Sequence, residues 1–256
     1  MAPFADGTRN RIWYAQSRPS TRGGPPLLLI HGAGGSHLHW PPQLRRLAGV
    51  SVLAPDLPGH GRSEGPGREA IGDYTRDVVS LLDALGIERT VVGGHSMGGA
   101  IAQAMALDHA ERVAGLILIG TGAKLRVAPA VLDGILNDFE ATVGLVVDWS
   151  FGPAATDDLK QLGIKAIRET DPAVLLGDYR ACDRFDIRDQ MERIQTPTLV
   201  VGGTADRLTP LRFSRYLAEN IDRARLEIIE GGGHMMALES PEEVGAVVDR
   251  FMAELS

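Results

Sequence analysis

The sequence predicts an α/β fold: a mostly parallel central sheet flanked by helices and interrupted once by a helical insertion. Three observations carry that expectation. Short runs such as Leu27-Leu28-Leu29-Ile30 and Leu116-Ile117-Leu118-Ile119 are apolar at every position rather than at alternate ones. A strand of that kind is buried on both faces, as in a parallel sheet with helices on each side. These runs alternate with helix-length stretches, the rhythm of successive strand-helix units. Between residues 124 and 191 the rhythm stops, and helical periodicity continues with no convincing strand.

Taken in order, residues 12–15 read as an early strand, followed by a polar, Pro/Gly-rich turn over 17–26. The strand at 27–30 runs into His31-Gly32-Ala33-Gly34-Gly35, a helix is expected over 41–48, and a strand at 50–54 leads into Pro55-Asp56-Leu57-Pro58-Gly59-His60-Gly61-Arg62-Ser63. Val78, Val79, Leu81, Leu82 and Leu85 mark a helix over about 74–85, closed by Gly86 as its C-terminal cap. Val91-Val92 enters Gly94-x-Ser96-x-Gly98, and a helix follows to about His109. In the insertion, Leu132, Ile135, Leu136 and Phe139 keep helical spacing, as do Leu159, Leu162, Ile164 and Ile167. Alternation resumes with a strand at 198–201, a helix at 211–221, a strand at 225–229 and a closing helix at 241–255. The expected organisation is a core of residues 1–123 and 192–256 with a helical cap at 124–191, hinged at Gly120-Thr121-Gly122 and Thr196-Pro197.

The 256 residues suffice for such a core and insertion, and 44% hydrophobic with 23% charged residues is ordinary for a globular chain. A net charge of -7 with scattered basic residues offers nothing to neutralise phosphates, so no nucleic-acid partner is expected. No apolar run approaches the ~20 residues that span a bilayer, and residues 1–10 lack the pattern of a secretion signal. A cytoplasmic protein without a membrane partner is the expectation. Cys182, the single cysteine, rules out an internal disulfide and reads as a buried, inert thiol. No His, Cys and carboxylate spacing suits a metal, and residues 93–99 lack the Lys-Ser/Thr of a phosphate loop, so neither metal nor cofactor is expected. Monomer and homodimer both remain open.

The chemistry gathers around Ser96. A G-x-S-x-G pattern fixes only three positions, but a β-branched run before it and a helix-forming run after it supply the strand-turn-helix setting that gives it meaning. The turn would hold Ser96 in a strained conformation with its hydroxyl at the carboxyl end of the sheet, where open α/β sheets place functional residues. A serine needs a base to become a nucleophile, and His is the natural one near neutral pH. His234, in Gly231-Gly232-Gly233-His234, is the one histidine after the last strand. Asp206, beyond the strand at 198–201, supplies the carboxylate that fixes the imidazole tautomer. His31 and His60 read as loop braces, His95 as packing or hydrogen-bonding beneath the elbow, and Asp56 as a loop stabiliser.

With those pieces in order, the chain resembles an α/β-hydrolase-fold protein over nearly its whole length, specifically a serine-nucleophile, carboxylesterase- or lactonase-like member. The matching stretches are His31-Gly32, 55–63, Gly94-His95-Ser96-Met97-Gly98-Gly99, Pro197 to Gly202 with Asp206, and Gly233-His234 with Glu239-x-Pro241-Glu242. The resemblance implies Ser96, Asp206 and His234 as catalytic residues. One oxyanion donor is expected from the Met97 N–H at the helix start. By resemblance the second is the Ala33 N–H, with Gly34 the alternative one position along. Gly32, Gly34, Trp40, Phe139, Trp149 and Met235 are expected at the substrate, with Phe151, Tyr179 and Phe185 also available in the cap.

A serine at the elbow argues against dehalogenases and epoxide hydrolases of this fold, which use Asp. Ala33-Gly34-Gly35 and Met235 depart from the loop and the Trp usual in carbon–carbon bond hydrolases. The expected function is hydrolysis of small to medium apolar carboxylic esters. An enol-lactone or carbon–carbon bond hydrolase stays open. So does a menaquinone-pathway-like lyase using Arg62, Arg126, Arg180 and Arg184, and so does a ligand receptor without turnover.

Overall fold

The structure is a computed structural model that describes residues 4–5 and 11–255. The expectation about a secretion signal in residues 1–10 therefore falls largely outside the described residues. The strands are β1 (Phe4–Ala5), β2 (Ile12–Gln16), β3 (Leu27–Ile30), β4 (Val52–Pro55), β5 (Thr90–His95), β6 (Val113–Ile119), β7 (Thr198–Gly203) and β8 (Ala224–Ile229). They form one eight-stranded sheet in the order β1-β2-β4-β3-β5-β6-β7-β8. β1 and β2 run antiparallel at one edge, and every pairing from β4 onward is parallel. From β3 the chain steps outward to β4, then crosses back to β5 and continues outward through β6, β7 and β8. The reversal lies between β3 and β5, and a crevice opens there at the carboxyl ends of the two strands. The 31–35 loop and Ser96 stand at that crevice.

Alternate residues of the apolar strands serve two different cores. Leu28, Ile30, Val92, Leu116, Leu118 and Val200 pack beneath α2 (Ile71–Ala84), α3 (Met97–Asp108) and α8 (Leu211–Asn220). Leu27, Leu29, Val91, Ile117, Ile119 and Leu199 pack on the opposite face with α1 (Pro42–Arg45) and α10 (Pro241–Glu254). Two covered faces explain why these strands are apolar throughout. Two boundaries differ from the expectation. α2 begins at Ile71, whose side chain is 5% exposed and extends the buried stripe of Tyr74, Val78 and Leu82 by one turn. The helix expected over 41–48 is a single turn, α1, ended at Arg46 by non-helical backbone.

Between β6 and β7 lie α4 (Pro129–Asn137), α5 (Phe139–Ser150), α6 (Asp157–Arg168) and α7 (Pro172–Asp183), and the short α9 (Met236–Glu239) follows β8. Local sequence starts three of the inserted helices. Asp138, Thr156 and Asp171 accept hydrogen bonds from the N–H groups of Ala141, Leu159 and Ala173, satisfying donors that a helix start leaves open. Val131, Ile135, Val146, Leu175 and Leu176 make a small core among α4, α5 and α7. α6 differs: none of its residues is buried, and its Leu159, Leu162 and Gly163 look into the cavity described below. No helix among the described residues is long and apolar enough to cross a membrane.

Leu29, 1% exposed and in contact distance of the β5 backbone at Gly93, tests the two-faced core. Leu29→Ala is expected to lower unfolding free energy by about 2–5 kcal/mol in urea titration. A loss under about 1 kcal/mol would mean that the site collapses around the truncation.

Candidate active site

Ser96 joins β5 to α3 with φ 53° and ψ -115°, and it is the one non-glycine among the described residues at positive φ. The glycines around it explain how the turn closes. A Cβ on Gly94 would run into the carbonyl of Gly98, and one on Gly98 into the carbonyl oxygen of Ile30. α3 thus rests backbone against backbone on β5 and β3, and its first residue, Met97, directly follows the serine.

His234 reaches the same crevice from the loop after β8. Its Nδ1–H donates to Asp206 Oδ2 at 2.9 Å. The carboxylate is itself held: Oδ1 accepts from the N–H groups of Leu208 at 2.9 Å and Thr209 at 2.8 Å, and Oδ2 accepts from Thr209 Oγ1 at 2.7 Å. Burial pushes the Asp206 carboxyl upward, but the adjacent imidazole and these donors outweigh it and hold the group below the usual carboxylate range. From below, His95 Nε2–H donates to the His234 carbonyl at 2.9 Å, which ties the elbow to the histidine loop. Burial, then the nearby His234 and His39, keep His95 neutral. Glu239 Oε2 accepts from the N–H groups of Gly233 at 3.2 Å and Gly152 at 2.9 Å, joining that loop to the end of α5.

Ser96 and His234 both face a cavity of about 750 Å³ under the inserted helices. Its wall is largely apolar, with Val131, Val147, Trp149, Phe151, Leu162 and Leu238 on it, and Arg126, Lys165, Glu169 and Arg207 supply charge. His39 lines it too, and burial beside His234 and His60 pushes its pKa down to about 4. Among the described residues no three His, Cys, Asp or Glu side chains are grouped as metal ligands.

Gly32, Ala33, Gly34, Trp149 and Met235 lie on the cavity wall with Ser96 and His234, while Met97 and Asp206 stand behind it. Two expectations are corrected. Trp40 does not line the cavity: it is 1% exposed, within the core beneath the sheet, edge-on to His95 at 6.4 Å. Phe139 opens α5 and packs against the small core among the inserted helices instead of the cavity. Phe185 likewise belongs to the main core, whereas Phe151 and Tyr179 line the cavity. Of the four arginines considered for a polycarboxylate, Arg126 alone faces the cavity. Arg180 and Arg184 pair with Glu69, and Arg62 lies over the Trp13 ring.

The bracing histidines follow their expected parts. His31 Nδ1–H donates to the Gly32 carbonyl and its Nε2 accepts from Leu57 N–H, a neutral ring with a fixed tautomer. Asp56 accepts from the His37 and Arg62 N–H groups. Sequence reasoning missed Thr209, Thr170 and Asp178, and it named Glu239 only within a matching stretch, without its part in joining two loops. The one signal for Asp178 was its place on the apolar stripe of a helix, three residues after Leu175 and four before Cys182.

Comparison with known proteins agrees with this architecture. Residues 27–247 match the sequence profile of the alpha/beta hydrolase family. The chain belongs to that family. A 2-hydroxymuconate semialdehyde hydrolase of Pseudomonas putida is 30% identical, across 90% of this chain and 88% of its own. A protein named as a carbamate hydrolase, RutD, from Caulobacter sp. (strain K31) is 32% identical, across 89% of this chain and 90% of its own. Among solved structures, a thermophilic esterase superposes with a TM-score of 0.86 at 30% identity, covering 99% of this chain and 97% of the other. This family member is thus a hydrolase built on a sheet whose relatives cleave several kinds of bond.

Asp206 gives the site a pH signature. A carboxyl held below its unfolded pKa adds stability above the usual range near about 4, and that stability is lost as pH falls through the folded value. Asp206→Asn is expected to melt lower at pH 7, by about 1–3 kcal/mol, and to lose less further stability than the wild type below about pH 4. Parallel melting curves for the two proteins across that range would contradict the carboxylate's role.

Proposed function

We propose that the protein is a serine hydrolase of carboxylic esters with small to medium apolar acyl groups. The observation that carries the reading is Ser96 at positive φ facing an apolar cavity beside His234, whose Nδ1–H is bonded to a buried Asp206. In the proposed sequence His234 Nε2, the nitrogen Asp206 leaves free, takes the Ser96 proton as Oγ bonds to the ester carbonyl carbon. The carbonyl oxygen becomes an oxyanion. Collapse expels the alcohol, which leaves with the proton from His234; a water deprotonated by the same imidazole then attacks the acyl carbon, the Ser96 Oγ–acyl bond breaks to release the acid, and His234 returns the proton to Ser96 Oγ.

The N–H groups of Ala33 and Met97 are the proposed oxyanion donors. Among the described residues neither has a hydrogen-bond partner, whereas the Gly34 N–H is taken by Asp178 at 2.8 Å. That difference favours Ala33 over its neighbour. Each such donor is worth about 3 kcal/mol of barrier.

The cavity wall supports an apolar acyl group, and the four arginines diverge, which weighs against a polycarboxylate-binding lyase. A second reading has support from the relatives. Carbamates or the bond cleaved by a semialdehyde hydrolase would use the same serine, base and oxyanion donors. A panel of p-nitrophenyl esters, lactones and carbamates separates these classes by kcat/KM, with the short-chain esters expected to rank first. Ser96→Ala is expected to reduce turnover of the preferred substrate at least ~10³-fold while keeping the fold. Wild-type rates in that variant would overturn the mechanism.

A further inference from the structure

Gly34 lies in the loop that carries the Ala33 N–H, and the inserted helices grip it on three sides. Its N–H donates to Asp178 Oδ2 at 2.8 Å, its carbonyl accepts from Thr170 Oγ1 at 3.0 Å, and at φ 62° a Cβ would stand 2.6 Å from Leu175 Cδ1. Asp178 and Leu175 belong to α7, and Thr170 stands just before it. The contacts are closed to solvent: Asp178 is 0% exposed and Thr170 6%.

Asp178 is fixed in turn from the core. His60 Nε2 donates to Oδ2 at 2.8 Å and the Tyr74 hydroxyl to Oδ1 at 2.5 Å. The other nitrogen of His60 faces the Pro58 carbonyl at 3.1 Å, so both ring nitrogens face acceptors. Burial alone would lower the His60 pKa, but the hydrogen-bonded Asp178 outweighs it and raises the value. A buried polar cluster with its hydrogen bonds satisfied admits few alternative arrangements. Its position here is above the loop that would receive the oxyanion.

We infer that Asp178 and Thr170 are positioning residues for the oxyanion hole, so that the inserted helices set not only the substrate pocket but the placement of a transition-state donor. The two polar groups of Gly34 flank its Cα. Bonding both fixes the orientation of that residue and, through the Ala33–Gly34 peptide, the direction of the Ala33 N–H. Asp178 also occupies the Gly34 N–H, which leaves Ala33 as the donor on this loop. The inference rests on the serine-hydrolase reading, and its test separates the two.

Thr170→Val removes the hydroxyl with little change of shape, and Thr170→Ser keeps it. Asp178→Asn keeps an acceptor and removes the charge. The readouts are kcat and KM on the best p-nitrophenyl ester, melting temperature, and inhibition by a trifluoromethyl ketone of matching acyl chain. That ketone forms an oxyanion adduct when Ser96 Oγ bonds to its carbonyl carbon and the serine proton passes to His234; the matching methyl ketone controls for pocket binding alone. Thr170→Val is expected to lower kcat about tenfold, with KM within about twofold and the trifluoromethyl ketone weakened by the same factor as kcat/KM. Methyl ketone binding should be unchanged and Thr170→Ser near wild type. Asp178→Asn is expected to follow the same pattern, and if it fails to fold the Thr170 pair decides alone. A lower melting temperature with unchanged kcat and trifluoromethyl ketone affinity would overturn the inference, as would a loss confined to KM. A wild type that turns over no ester, or turns it over equally well as Ser96→Ala, would overturn the hydrolase reading and this inference with it.

Discussion

Backbone lies on backbone where α3 meets the sheet, and much of the molecule follows from that approach. With Gly94 under Gly98 and Gly98 over Ile30, no side chain separates the helix from β5 and β3. The connection between strand and helix is then too short for relaxed backbone, and Ser96 takes the conformation that completes the turn. The strain is held by what surrounds it: apolar strand residues on both faces of the sheet, and helices packed over both. A deep, two-sided core is what allows one residue to be kept at positive φ at the sheet's carboxyl edge.

The same crevice receives side chains from loops far apart in sequence, because the chain reverses direction between β3 and β5. Gly32 follows β3, Ser96 follows β5, Asp206 follows β7 and His234 follows β8. Each loop is tied to a neighbour by a buried polar contact. His95 bonds the His234 carbonyl, Glu239 joins Gly233 to Gly152, and Asp178 joins Gly34 to His60 and Tyr74. Buried polar groups are costly unless satisfied, and satisfied ones admit few alternative arrangements. The crevice is accordingly organised by hydrogen bonds, and the sheet beneath it by apolar packing.

The sheet was legible in the sequence because its strands must be apolar on both faces, and that demand leaves continuous runs such as Leu27 to Ile30. The residues at the crevice were legible because each follows such a run, and because the Gly94-x-Ser96-x-Gly98 motif and the order of serine, aspartate and histidine matched a known pattern. What failed was orientation. Nothing local to Trp40 says that its ring turns beneath the sheet, and nothing local to Phe139 says that it faces its sister helices. Asp178 and Thr170 were invisible for a related reason: they act across 144 and 136 residues of chain, in a segment with no strand to anchor the reading. The start of α2 was misjudged because Ile71 earns its helical place through burial, which periodicity over a short window does not register.

The four inserted helices are unequally attached. α7 is fastened through Asp178, Thr170 and Leu175, and the end of α5 through Glu239, whereas α6 buries none of its residues, resting Ile167 on the small core of the insertion and turning Leu159 and Leu162 to the cavity. Substitutions at Leu159 and Leu162 therefore meet the cavity without disturbing a buried core residue. Exchange of Leu159 or Leu162 reshapes the cavity wall while the crevice beneath keeps its hydrogen bonds. The fold thereby separates what must be kept from what is available for invention.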